Sequence, residues 1–276
     1  MHKIDLNKNT RIDLINDINI KSKSKKIVKK NVTIERVILN ENNKYNKNKG
    51  EYISILFDDS TDKDNKNNIV DVLTSEINRL LKRKKLLNKS LLVVGLGNIY
   101  STPDSLGPKT VENIISTRHI YLTSALDKKY SVVSKISPGV FAETGIESFD
   151  IIKGITDRIK PNYLIVIDAL STKTLNKVNK LIQITDSGID PGSGVGNQRK
   201  EISKNTLGIE VISIGVPTVV NLHTIIKDSL NEYDLDNILD KLNDYLVTPK
   251  EIDFVIEELS FIISKSINNA LHNMTK

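Results

Sequence analysis

Apolar positions in this chain fall into short runs that end sharply, separated by stretches with helical spacing. Leu91–Val94 and Tyr163–Ile167 are almost continuously apolar over strand length. The second stops at an acid, Asp168, and buried parallel strands have this texture. Glu51–Phe57 alternates, and Ser131–Ile136, Leu181–Thr185 and Glu210–Ile214 are further strands. Helical periods cover Ile69–Leu86, Pro108 to about Arg118, Ile146–Ile159, Val219–Leu230 and Leu235–Leu246. Thr248-Pro249-Lys250-Glu251 has the form of a capping box opening a long amphipathic helix, with Ile252, Val255, Ile256, Leu259, Ile262, Ile263 and Ile267 on one face. Residues 1–20 give at best a weak element, and 41–50 and 58–68 read as solvated loops. The alternation of strand and helix predicts an α/β fold, a mainly parallel twisted sheet with helices on both faces.

Composition narrows the classes. The chain has 276 residues, 38% apolar and 5% aromatic with no Trp, so its core rests on Ile, Leu and Val. It has no Cys, which excludes disulfides, thiolate metal sites and a cysteine nucleophile and fits a reducing, cytoplasmic setting. No apolar run reaches the roughly 20 residues that span a bilayer. The net charge of +6 is unevenly placed: residues 1–50 hold 13 Lys/Arg against 5 Asp/Glu, and the remainder 27 against 29. The lysines at 21–30 therefore read as a solvated segment rather than a nucleic-acid footprint.

Two acids carry the candidate chemistry. Asp168 ends a buried strand, where desolvation raises proton affinity. Asp104 lies in Thr102-Pro103-Asp104-Ser105 just beyond Gly95-Leu96-Gly97-Asn98 and the strand Leu91–Val94. The carboxyl ends of strands are where open α/β sheets place their sites, so both acids are expected at one sheet edge, within reach of one water. Each also has a plainer reading: Asp168 as a helix N-cap, Asp104 as a turn acid capping the Pro108 helix. The 95–98 glycines fail the dinucleotide fingerprint because Tyr100 stands where a third Gly is needed. Gly192, Ser193, Gly194, Gly196 and Asn197 form a loop without a Walker lysine. It either presents backbone N–H groups to an oxyanion or an extended peptide, or is a surface loop. The four His have no metal-ligand spacing, with His119 closing the predicted Pro108 helix, so no metal or other cofactor is expected.

Taken together, Gly95–Asn98, Thr102–Lys109, Thr117–His119, Ser137–Val140, Thr144–Glu147, Val166–Leu170, Ile184–Asn197 with Arg199–Glu201, Ile214–Val220 and Val247–Glu251 resemble the bacterial germination protease family, spore endopeptidases that degrade small acid-soluble spore proteins. The likeness runs nearly unbroken from residue 91 to 272 and is weak before it, where Arg11-Ile12-Asp13-Leu14 is similar to the family's Arg-Thr-Asp-Leu element. It implies an atypical aspartic endopeptidase with a fold similar to hydrogenase-maturation endopeptidases, and it places the catalytic pair at Asp104 and Asp168. It also implies a self-processing zymogen, a homotetramer and cleavage at sites with an acid before the cut, an apolar residue after it and an acid four positions on. Asp13-Leu14-Ile15-Asn16-Asp17 has that arrangement, which implies processing between Asp13 and Leu14, with 1–13 as propeptide and 14–276 as one α/β peptidase domain, variable to about residue 90. Thr102 and Ser105 are expected to orient Asp104, and the 192–197 loop to support substrate or oxyanion. The implied substrates are spore proteins, with no direct nucleic-acid role and no membrane association. The competing readings are a metal-dependent peptidase of the same fold, or an inactive homologue binding spore proteins or DNA.

Overall fold

Alternation along three neighbouring strands explains the layering. Leu91 and Val93 of β4 (Leu91–Gly95), Tyr163, Ile165 and Ile167 of β6 (Tyr163–Thr172), and Ile212 and Ile214 of β8 (Glu210–Asn221) point to one side. There they bury against α1 (Lys63–Arg83), α2 (Leu106–Glu112) and α8 (Ile252–His272). Leu92, Val94, Leu164, Val166 and Val211 point to the other side, onto Phe149 and Ile152 of α5 (Ser148–Ile159) and Leu207 of α6 (Lys204–Leu207). Each such side chain contributes about 1.5–3 kcal/mol by leaving water. Helices therefore cover both faces, as the apolar runs predict.

The computed structural model describes residues 13–18, 25–40, 47–127, 129–192, 199–229 and 245–272. Among them, one sheet of nine strands also includes β1 (Lys25–Lys29), β2 (Val32–Leu39), β3 (Gly50–Leu56), β5 (Val133–Ile136), β7 (Leu181–Thr185) and β9 (Leu246–Val247). Its order is β1-β2-β3-β7-β8-β6-β4-β5, with β9 beside the end of β8. The α/β class holds. The parallel order is confined to β5-β4-β6-β8, and the β1, β2, β3, β7 half and β9 are antiparallel, so the sheet is mixed.

Several local expectations are corrected. Within the lysine segment read as solvated, Lys25–Lys29 form β1, and Val32–Leu39, given no element from the sequence, form β2. β1 is an edge strand whose lysines are exposed, which blocks pairing by a further chain. α1 starts at Lys63, because Asp62 of the acidic loop caps it by accepting from the Asp64 and Asn65 amides. Pro108 is the third residue of α2, which stops at Glu112. His119 sits in the first turn of a separate helix, α3 (Arg118–Leu122), and the short α4 (Phe141–Thr144) follows β5. β6 and β8 run on to Thr172 and Asn221, so Val219 is strand and α7 begins at Leu222 (Leu222–Ser229). Thr248 donates its hydroxyl to the Thr218 carbonyl across the sheet end, and α8 begins only at Ile252. The helix predicted for Leu235–Leu246 lies outside the described residues except at its end, where Leu246 is in β9.

Candidate active site

The site forms where β4 and β6 end. The Leu96 amide donates to the Ile167 carbonyl at 2.8 Å, carrying the strand pairing just past β4. α2 then docks on those ends through bare backbone. A Cβ on Gly107 would lie 2.2 Å from the Leu96 carbonyl oxygen and 2.8 Å from that of Ile167. Gly97 has φ +113°, and a Cβ there would lie 2.0 Å from the Asp104 carbonyl oxygen. Only glycine meets both demands. The chain thus folds back on itself, and Asp104 ends the short 3-10 turn Thr102–Asp104.

The Asp104 carboxylate accepts from the Asn98 amide at 2.8 Å, so it ties the loop rather than capping α2, whose N-cap is Ser105. Ser105 donates to the Thr102 carbonyl instead of orienting Asp104. Asp168 follows Leu164 and Val166 at the two-residue period of β6 and stands opposite Gly215 of β8. Because β6 continues to Thr172, Asp168 is not a helix cap.

The two acids line one cleft of about 400 Å³, together with Asp13, Ser171, Gly192 and Arg199. Burial raises the proton affinity of Asp168 far above the carboxylate range, and the charges of Asp104 and then Asp13 add to this. The Ala169 amide and Arg199 oppose it. Burial also raises Asp104, against the Asn98 amide and Arg199. Two carboxyls whose proton affinities are raised unequally in one cleft can divide into a proton donor and a proton acceptor, titrating jointly. A larger groove of about 730 Å³ lies beside α1, but there Arg36 and Arg79 are engaged by Glu76.

Of the glycine loop, Gly192 reaches the cleft with φ +70°, and Ser193, Gly194, Gly196 and Asn197 lie outside the described residues. Asp13 and Leu14 are brought to the same place. The Asp13 carboxylate accepts from the Ser171 amide at 2.9 Å and its hydroxyl at 3.2 Å. Its carbonyl accepts from Lys47 Nζ at 2.9 Å and Gln183 Nε2 at 3.2 Å. Leu14 is fully buried against Leu170 and Leu181.

Residues 2–242 match the family model described as germination protease. The chain belongs to the germination protease family. The germination protease of Clostridium tetani is 40% identical over 269 residues, covering 85% of this chain and 83% of that one. That of Clostridium acetobutylicum is 39% identical over 259 residues, covering 82% and 79%. Among solved structures, the [NiFe] hydrogenase maturation protease HycI from Thermococcus kodakarensis has a TM-score of 0.39 and 15% identity, covering 70% of this chain and 99% of that one. Within this germination protease chain, sequence reasoning gave no role to Arg199, Ser171, Lys47 or Gln183. Arg199 had a usable signal, a cation closing the glycine loop. The other three have none, because their place in the cleft depends on strand register and on a distant N-terminal segment. Among the described residues no helix is long and apolar enough to cross a membrane.

Proposed function

We propose that the chain is an aspartic-type endopeptidase in which Asp104 and Asp168 handle one water between them. The observation that carries this is the shared cleft, in which the charge of Asp104 raises the proton affinity of Asp168. The ionised carboxyl takes a proton as the water oxygen attacks the peptide carbon, and the protonated one donates to the carbonyl oxygen. Breaking the C–N bond then returns a proton to the departing amine. Arg199 and the backbone of the 192–197 loop hold developing negative charge.

The substrates, by family membership, are small acid-soluble spore proteins cut during germination in the spore core, at acid–apolar bonds. The enzyme is made as a zymogen that removes residues 1–13 at Asp13–Leu14, leaves residues 14–276 as its peptidase domain and works as a homotetramer. In support, Asp13 lines the cleft of the two acids. Incubation of purified chain with a spore-protein substrate tests the reading. Asp104→Asn and Asp168→Asn each lower turnover by about 10²–10⁴-fold, while chelator leaves the wild type unchanged. Wild-type turnover in either variant removes its residue from the pair, and loss of activity on chelation overturns the aspartic mechanism.

A further inference from the structure

The segment Asp13–Ile18 lies on the sheet without joining it. Its contacts are side-chain seats rather than a strand ladder. The Ile15 amide donates to Gln183 Oε1 at 2.8 Å, Ser54 bonds Asn16, and Asn16 Nδ2 donates to Glu35 at 2.7 Å. The most elaborate seat holds Asp17, whose carboxylate has no exposure. It accepts from Thr172 Oγ1 at 2.9 Å, the Lys173 amide at 2.8 Å, Thr174 Oγ1 at 3.4 Å and Lys177 Nζ at 2.7 Å. Lys177 also donates to the Asn16 carbonyl at 2.9 Å, so it grips backbone and side chain together. A buried carboxylate is tolerated only when so fully paired.

The spacing of the seats has a structural origin. β4 pairs with β6 only as far as Gly95–Ile167. Beyond that point the amides of Ser171, near the end of β6, and Lys173, just past it, donate to carboxylates: one to Asp13, the other to Asp17. Between them Leu14 fills an apolar hole made by Leu170 and Leu181. The 3-10 turn Leu175–Lys177 that presents Lys177 is held without the segment, through Thr174 to Thr172 Oγ1 and Asn179 to the Pro217 carbonyl. The receptor is therefore built by the body of the protein and can take any peptide of the same chemistry.

We infer that Lys177, with Thr172 and the Lys173 amide, is a specificity-determining subsite that recognises a carboxylate four residues after an acid seated at Ser171, and that the chain's own residues 13–17 occupy it. This rests on the proteolytic reading above and adds the receptor residues to it. Lys177 is placed here as a substrate-binding residue, outside the lining of the cleft that holds the two acids.

The test uses the chain after self-processing, in which substrate displaces residues 14–17 from the seat, and three peptides: Asp-Leu-Ile-Asn-Asp within a neutral flank, and the same with the final Asp replaced by Asn or by Lys. Wild type prefers the acidic peptide in kcat/KM by about 10–100-fold, the value of a charge-assisted contact, expressed in KM. Lys177→Gln brings the ratio close to one, and Lys177→Glu inverts it toward the Lys peptide. A uniform loss of rate with the ratio intact means that Lys177 acts structurally, and overturns the subsite. Hydrogen exchange of amides 14–18 in the uncut chain is read separately from activity. Lys177→Glu speeds it at least tenfold while β6 exchange stays unchanged. If wild type cuts none of the peptides, the proteolytic reading fails. If exchange at 14–18 is also unmoved by Lys177→Glu, the seat itself falls.

Discussion

The backbone amide of Ser171 donates to the carboxylate of Asp13, 158 residues earlier in the chain, and so holds a third acid in the cleft of Asp104 and Asp168. That third charge raises the proton affinity of Asp168. Removing it acts in the opposite direction. Asp13→Asn, in full chain held uncut, lowers the proton affinity of Asp168. An NMR pH titration of the Asp168 carboxyl measures it, and a shift upward contradicts the electrostatic account.

Arg199 gives the mirror image. Its charge lowers the proton affinity of both Asp104 and Asp168. Arg199→Gln therefore moves the alkaline limb of peptide hydrolysis to higher pH. It also reduces kcat by roughly tenfold or more, as loss of a charge-stabilising donor does. A pH profile of kcat reads both effects.

Stability should carry the signature of Asp168 as well. Its proton affinity is raised by folding. Below the ordinary carboxylate pKa of about 4, both the folded and unfolded states hold the proton and the group costs nothing. As pH rises past that point the unfolded chain releases its proton first, and stability declines until the folded group titrates. Asp168→Asn removes this penalty while keeping an acceptor for the Ala169 amide. Urea unfolding at pH 7 shows the variant at least as stable as wild type, with the difference shrinking toward pH 4.

Much of this arrangement was legible in residue pattern alone. The β4 and β6 runs, the acid at the end of β6 and the long C-terminal helix follow from apolar periodicity, because burial on both faces leaves an unbroken apolar texture. The antiparallel half was not legible. β1 carries three lysines in five residues, the composition of a solvated loop, and is a strand only because β2 offers it a ladder. The extensions of β6 and β8 were missed because residues such as Ser171 and Thr172 suggest a turn, whereas here they pair with Val219 and Val220. The glycines at 95 and 97 pointed to a tight strand exit. The demand for Gly107 came from a helix packing onto that exit, which no local pattern encodes.

Gly107 is accordingly a sensitive small residue of the site. Gly107→Ala drives a methyl into the Leu96 backbone and pushes α2 off the strand ends. The expected cost is about 3 kcal/mol or more, with activity falling further than stability because the Asp104 turn shifts with the helix. Thermal unfolding and peptide turnover of the same sample separate the two effects.

Away from the cleft, Arg36 of β2 and the buried Glu76 of α1 form a two-pronged pair, with Arg36 Nη2 at 2.5 Å and Nε at 3.1 Å from the carboxylate. Glu76→Gln leaves Arg36 short of a counter-charge, while Arg79 keeps its pair with Glu51. It costs about 2–4 kcal/mol in urea unfolding without changing the peptide preferences above. An altered preference would mean that the antiparallel half tunes the cleft.

The Asp17 carboxylate is bound by the end of β6, 155 residues later in the sequence. During synthesis, residues 13–17 leave the ribosome long before Thr172 and Lys177 have been made. At a few to about 20 residues per second, that delay is on the order of ten seconds or more. Under the processing proposed at Asp13–Leu14, that bond is out of register with the catalytic pair until most of the polypeptide exists, so the order of manufacture itself delays any cut by the nascent chain.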